Sequence, residues 1–197
     1  TSNWTRGVYV LKCDVKKFFD FIDHEILFSL IKRKVMDERT LKLICTVLFG
    51  FEKTHGEGLP LGNVTSQLFA NVYMNEFDQF VKHKLKIKYY ARYCDDFVIV
   101  DRDIKLLKNY IPIIRQFLYN NLKLDLHPNK ISIRKARQGI DFLGYVVLPH
   151  RKVLRTKTKL RLLKRVTEKN LESYKGMLSH CKGWNIEKEI KWLAQIL

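Results

Sequence analysis

Three aspartates carry the first chemical signal in this chain of 197 residues. Asp95 and Asp96 stand side by side in the run "YYARYCDDFVIV", between two stretches of strand-forming residues, and Asp14 closes an earlier run, "GVYVLKCDV". Adjacent carboxylates repel each other, and apolar flanks make it costly to keep both ionised. A hairpin that turns at Cys94–Asp95 and pairs beside the first strand would bring all three acids to one sheet edge. Hard oxygen donors grouped in that way suit Mg²⁺, which proteins hold through one or two carboxylates and the phosphates of a substrate. Two such ions, about 3.5–4 Å apart, can activate an attacking oxygen and stabilise a leaving one. Paired aspartates in a turn also arise with no metal nearby, so the rest of the chain has to decide.

The elements that must position these acids follow from hydrophobic spacing. The run 7–15 reads as a strand ending near Asp14. The spacing predicts a helix over 23–35, opened by Asp23, with Ile26, Leu27, Leu30 and Ile31 on one face, and a second over 37–51, capped by Asp37. A Gly/Pro loop over 57–65 precedes a helix from Ser66 to about His83, with Leu68, Val72 and Phe80 inward. "IKYYARY" and "DFVIVDR" read as the two arms of the hairpin. A helix over 103–121 takes Asp103 as its N-cap, with a kink expected at Pro112. "LKLDL", "KISIRKA" and "IDFLGYVVL" read as short strands, and from about Lys157 the pattern turns helical. Strands and helices in mixed order predict an α+β domain over 1–150, an antiparallel sheet packed on helices. A basic helical segment follows over 151–197.

Lys and Arg number 37 against 20 Asp and Glu, a formal charge of +17. Such an excess points to a polyanionic partner, nucleic acid first, with a solvated basic surface as the plain alternative. No apolar run reaches the ~18 residues of a transmembrane helix, so no membrane partner is expected. "TSNWTRGVYVL" lacks the layout of a signal peptide. Cys13, Cys45, Cys94 and Cys181 are scattered with no CxxC, which argues against structural zinc or a disulfide framework and for a reducing cytoplasm.

Five motifs then give the chain a resemblance to the palm domain of reverse transcriptases. "DVKKFFD" (14–20) resembles the family's motif A, "LPLGNVTSQLFANVYM" (59–74) its motif B, and "YCDD" (93–96) its motif C. "LDLHPNK" (124–130) is similar to the motif that brings a Lys near the incoming nucleotide, and "DFLGYVV" (141–147) to the primer-grip strand, with Phe142, Leu143 and Gly144 at the primer. The five run in family order over roughly 8–150. The resemblance implies an RNA-directed DNA polymerase acting on an RNA template, a primer duplex and deoxynucleoside triphosphates. It makes Asp14, Asp95 and Asp96 the catalytic acids and, with the Val15 carbonyl, the ligands of two Mg²⁺ ions, for which Mn²⁺ can substitute. The primer 3′-hydroxyl would attack the α-phosphate in line, and catalysis would be mostly positioning and charge neutralisation. Phe19 would lie under the sugar and clash with a 2′-hydroxyl; packing in the core is the alternative for both Phe18 and Phe19. Gly62 leaves room for the nucleotide or template. Ser66 is read as a nucleotide contact or as a cap for its helix, Lys130 as a partner of the triphosphate or a solvent-facing lysine, and Tyr93 as a primer contact or hairpin packing.

Leu61 before Gly62, and Gln67 after Ser66, depart from the Gln-Gly and Ser-Pro of many members. They resemble the reverse transcriptases of diversity-generating retroelements, which would imply an accessory retroelement protein as a partner; retron, intron and defence types stay open. The chain begins about a dozen residues before motif A, so most of the fingers are expected to be missing and the chain is read as a fragment. The basic run 151–175 is read as a thumb helix lining the template–primer cleft. An RNA-dependent RNA polymerase and an inactive nucleic-acid-binding relic are the competing readings.

Overall fold

The computed structural model describes residues 7–51 and 55–196. They form two compact units, one of Val10–Ile133 and one joining the described residues up to Tyr9 to those from Arg134 onward. In the first, strand β1 (Tyr9–Asp14) leads into helices α1 (His24–Lys32), α2 (Glu38–Phe49) and α3 (Val64–Gln79). The hairpin β2 (Tyr90–Tyr93) and β3 (Asp96–Asp101) follows, then α4 (Ile104–Leu122) and β4 (Ser132–Lys135), in which the division between the units falls. The sheet runs β2-β3-β1-β4. The hairpin is antiparallel, with Tyr93 opposite Asp96, so Cys94 and Asp95 make a two-residue turn.

Local chemistry sets most of these boundaries. Asp23, Asp37 and Asp103 accept hydrogen bonds from Ile26 N, Thr40 N and Lys105 N, each satisfying a helix-start donor. Of the face its spacing predicts, α1 buries Leu27, Leu30 and Ile31 and leaves Ile26 half-buried. α3 does not follow its prediction. Leu68 is exposed, and the buried face is Phe69, Ala70, Tyr73, Met74 and Phe77. Ser66 does not cap this helix either, since Asn63 holds the N-cap position and Ser66 is already buried inside the first turn. α4 runs through Pro112. The expected strand "LKLDL" is irregular chain whose Leu124 and Leu126 are buried, with a single bridge from Leu126 to Val15. Phe77 packs on Phe97 at 4.9 Å and edge-on to Tyr90 at 6.0 Å, which joins α3 to the hairpin arms.

Tyr73 is fully buried; its hydroxyl donates to the Leu122 carbonyl at 2.7 Å and accepts from Asp23 N at 3.4 Å. Tyr73→Phe leaves that carbonyl unpaired and is expected to lower stability by about 1–3 kcal/mol in urea unfolding.

The second unit builds on β5 (Ile140–Phe142), β6 (Tyr145–Leu148) and β7 (Arg151–Leu154), an antiparallel meander, followed by α5 (Thr156–Arg165), α6 (Leu171–Ser179) and α7 (Trp184–Ile196). The expected single strand over 140–148 is thus a hairpin. Its turn is Leu143–Gly144, both at positive φ, the backbone of a type I′ turn. The division expected at 150/151 falls in the β6–β7 turn, and 151–154 is strand rather than helix because it pairs with β6. Leu154, Leu162, Val166, Leu178 and Ile190 form this unit's core. Leu197, the last residue of the expected terminal helix, lies outside the described residues.

Candidate active site

β1 delivers Asp14 at its last residue, and β3, its neighbour in the sheet, opens with Asp96. Val15 N donates to the Asp95 carbonyl at 3.2 Å, and His127 N to the Asp14 carbonyl at 2.8 Å, so the backbone around the acids is tied together. Burial, and then the charges of Asp14 and Asp96, hold the Asp95 carboxyl above the usual carboxylate range. Asp96 is also raised, by burial and by Asp14, although Lys12 opposes the shift. Positive charge already approaches these acids. Lys130 Nζ donates to both oxygens of Asp14, at 2.9 Å each, and Lys12 Nζ stands 3.7 Å from Asp96. The bond to Asp14 in turn makes Lys130 harder to deprotonate.

The donor set fits a hard divalent cation: three carboxylates, two of them disfavoured as anions by their own neighbourhood. Among the described residues no three ligand-type side chains are gathered closely enough to cage an ion as they stand. An ion bound to Asp14 would compete with Lys130 for its oxygens. Val15 is buried beside the acids.

A cavity of about 480 Å³ opens next to them, and Asp95 is on its wall together with Tyr93 and Cys94. Phe19, Leu61, Gly62, Ser66 and Gln67 line it as well. Phe18 points into the core at 2% exposure, whereas the adjacent Phe19 is half-buried on the cavity with its ring edge-on to Phe18. Gly62 has φ +96°, and a Cβ placed there meets nothing within 4 Å. The position therefore needs glycine for its backbone and leaves space above it. Asp14, Val15, Asp96 and Lys130 are not on the cavity wall. Phe142, Leu143 and Gly144 belong to the second unit, where Arg155 N donates to the Gly144 carbonyl at 3.0 Å and half-exposed Leu143 tips the turn.

Sequence reading missed four residues here. Asn63, Asn71 and Arg92 line the cavity; Asn71 lies one helical turn beyond Gln67, a spacing that could have found it. His24 is the fourth, fully buried, with Nε2 donating to the Gly58 carbonyl at 2.6 Å. With Leu59 N on the Phe19 carbonyl at 2.8 Å and Gly58 N on Ile22 at 2.9 Å, it stitches the Gly62 loop to the Phe19 segment. Burial and the charge of Asp95 push the Cys94 thiol up, which leaves it a poor nucleophile.

A sheet that sets Asp14 at a strand end beside a hairpin with Asp95 in its turn and Asp96 at the head of its return strand, packed on helices and flanked by a cavity, is a palm-like α+β arrangement. The chain belongs to the reverse transcriptase (RNA-dependent DNA polymerase) family, whose model matches residues 2–147. It is 27% identical over 188 residues to protein YkfC of Escherichia coli, covering 75% of this chain and 49% of that one. It is 26% identical over 204 residues to the group II intron-encoded protein LtrA of Lactococcus lactis, covering 67% of this chain and 33% of LtrA. The chain thus spans half the length or less of these relatives. Apo telomerase from Candida tropicalis shares the fold, with a TM-score of 0.59 over 84% of this chain and 35% of that one, at 14% identity.

Proposed function

We propose that this chain is the palm of an RNA-directed DNA polymerase that adds deoxynucleotides to a primer 3′-hydroxyl on an RNA template. The observation that carries the reading is the placement of Asp95 on one cavity with Phe19, Gly62 and Ser66, beside Asp14 and Asp96. Asp14, Asp95, Asp96 and the Val15 carbonyl would hold two Mg²⁺ ions, or Mn²⁺ in their place. Bound there, the metals would supply charge neutralisation for in-line displacement of pyrophosphate. Gly62 admits the nucleotide, Phe19 limits its sugar, and Lys130 moves from Asp14 to the triphosphate. Phe142, Leu143 and Gly144 would contact the primer, as would Tyr93.

Family membership and the match to an intron-encoded protein support a retroelement setting. Leu61 and Gln67 are the residues that favour a diversity-generating element and its accessory protein, and LtrA favours an intron type equally. Four free cysteines are in keeping with a reducing cytoplasm. Among the described residues no helix is long and apolar enough to cross a membrane.

Primer extension on an RNA template with Mg²⁺ and deoxynucleotides tests the reading. The chain is assayed alone and joined to the fingers segment of an intron-encoded relative, each beside its Asp95→Ala/Asp96→Ala control. Extension that disappears in the control supports the polymerase. Duplex binding with no extension in either form would replace it with a binding relic. Exposed Lys157, Arg161 and Lys164 on α5 offer phosphate contacts. Changing all three to Gln is expected to weaken duplex binding on any sequence. The log–log salt dependence should flatten by about one for each phosphate no longer neutralised, read by fluorescence anisotropy.

A further inference from the structure

The turn that carries Asp95 holds a conformation its residues do not favour. Cys94 has φ +53°, the left-handed region where a Cβ crowds the backbone, and such residues persist only where their surroundings fix them. Arg92 provides that fixing. Its Nη1 donates to the Cys94 carbonyl at 2.9 Å and to Asn71 Oδ1 at 3.4 Å. Its Nε and Nη2 form a fork on Asp78, at 2.8 and 2.6 Å, and the Tyr90 hydroxyl adds a bond to the same carboxylate at 2.6 Å. The Arg92 side chain is only 9% exposed, so these bonds compete with little water. Burial opposes the Arg92 charge, but Asp78 outweighs it and leaves the guanidinium more firmly protonated.

We infer that Arg92 and Asp78 are positioning residues, which fix the turn bearing Asp95 to the end of the helix that also lines the nucleotide cavity. Asp78 is next to last on α3, and Ser66, Gln67 and Asn71 lie on the cavity nearer its start. From Ser66 to Asp78 is about 18 Å of helix, a rigid ruler between the nucleotide side and the acid turn. The inference rests on the polymerase reading only for its kinetic consequence; the hold on the turn stands apart from it.

Arg92→Lys keeps the charge but replaces a planar fork by a single ammonium, which cannot satisfy Asp78 twice and the Cys94 carbonyl together. The test follows alkylation of each cysteine by mass spectrometry in the parent and in Arg92→Lys, with the kinetics of primer extension alongside. Buried Cys13 reports the fold and half-buried Cys45 serves as reference. The expected result is that Cys94 reacts about tenfold faster while Cys13 and Cys45 keep their rates, as local opening of one turn requires. The kcat of extension falls about 10–100-fold, the usual consequence of losing support behind a ligand, with KM for the nucleotide within about twofold. Unchanged Cys94 reactivity overturns the inference, and so does Cys13 accelerating in step, which would mean general unfolding. A loosened turn with undiminished extension also overturns it. A parent that extends nothing, alone or joined to the fingers segment, counts against the polymerase reading, while Arg92's hold on the turn is still decided by Cys94.

Discussion

Exchanging Asp95 for Asn is expected to abolish primer extension and, at pH 7, to raise the melting temperature of the metal-free chain. The two effects share one cause. Asp95 sits where burial and two neighbouring carboxylates oppose its ionisation, and its pKa is raised accordingly. A carboxyl whose pKa is higher folded than unfolded favours the fold when protonated. That contribution is complete below the ordinary carboxylate range and is lost as pH rises through the raised value. Wherever Asp95 is ionised its charge works against the fold, and Asn removes that charge while keeping nearly the same side-chain shape. The gain is read as a rise in melting temperature, each kcal/mol being worth about 2–4 °C in a chain of this size. It should shrink as pH is lowered through the raised pKa, because the parent then carries no charge there either. Mg²⁺ should raise the melting temperature of the parent by mass action and that of the variant much less. Extension should drop about a thousandfold or more, the scale on which a group facing the developing charge is missed. Melting curves from pH 4 to 8, with and without Mg²⁺, decide the matter. An Asn variant that melts lower at pH 7, or by the same margin at every pH, would show that the acids carry no such strain.

The features legible in the sequence are those where one local rule acts without a rival. Asp23, Asp37 and Asp103 open helices because a carboxylate at that position meets donors nothing else can satisfy. The hairpin turn at Cys94–Asp95 follows from two strand-forming runs of opposite direction. The buried face of α3 is displaced from the expected one because Leu68, Phe69, Ala70, Val72, Tyr73 and Met74 are nearly continuous. Two stripes fit such a run, and only its neighbours in the fold choose between them. "LKLDL" alternates like a strand, yet Leu124 and Leu126 are buried by irregular chain, with only Leu126 bridging, to Val15. The hairpin over 140–148 is hidden in the sequence because Leu at φ +54° is no ordinary turn signal. At the site, the three acids and the cavity residues Phe19, Leu61, Gly62, Ser66, Gln67 and Tyr93 could be named from motif order, whereas Asn63 and Asn71 on the same wall lie in a motif segment that does not mark them. The Lys130 bond to Asp14 and the Arg92 fork could not, because each joins segments distant in sequence. Long-range ion pairs leave no periodicity to read.

Phe19→Ala should let ribonucleotides in. Phe19 is the aromatic on the cavity wall, while its neighbour Phe18 is committed to the core, so truncating Phe19 empties space on the cavity and leaves the core aromatic in place. Its backbone is fixed independently of the ring, through the Phe19 carbonyl and Leu59 N, so the loop that carries Gly62 should keep its place. A steric wall rejects an added hydroxyl by about 10–200-fold at most when no buried polar group is left unpaired. Removing the ring should therefore cut discrimination between a deoxynucleotide and its ribonucleotide by about 10–100-fold. The change should come mainly from a higher kcat/KM for the ribonucleotide. Single-nucleotide extension with dCTP and CTP opposite template guanine measures it. If the parent already incorporates both equally, the chain is an RNA polymerase palm and the ring is no gate. If the parent discriminates and Phe19→Ala does so just as strongly, the selection lies elsewhere on the cavity, and exposed Leu61 at its edge becomes the next residue to truncate.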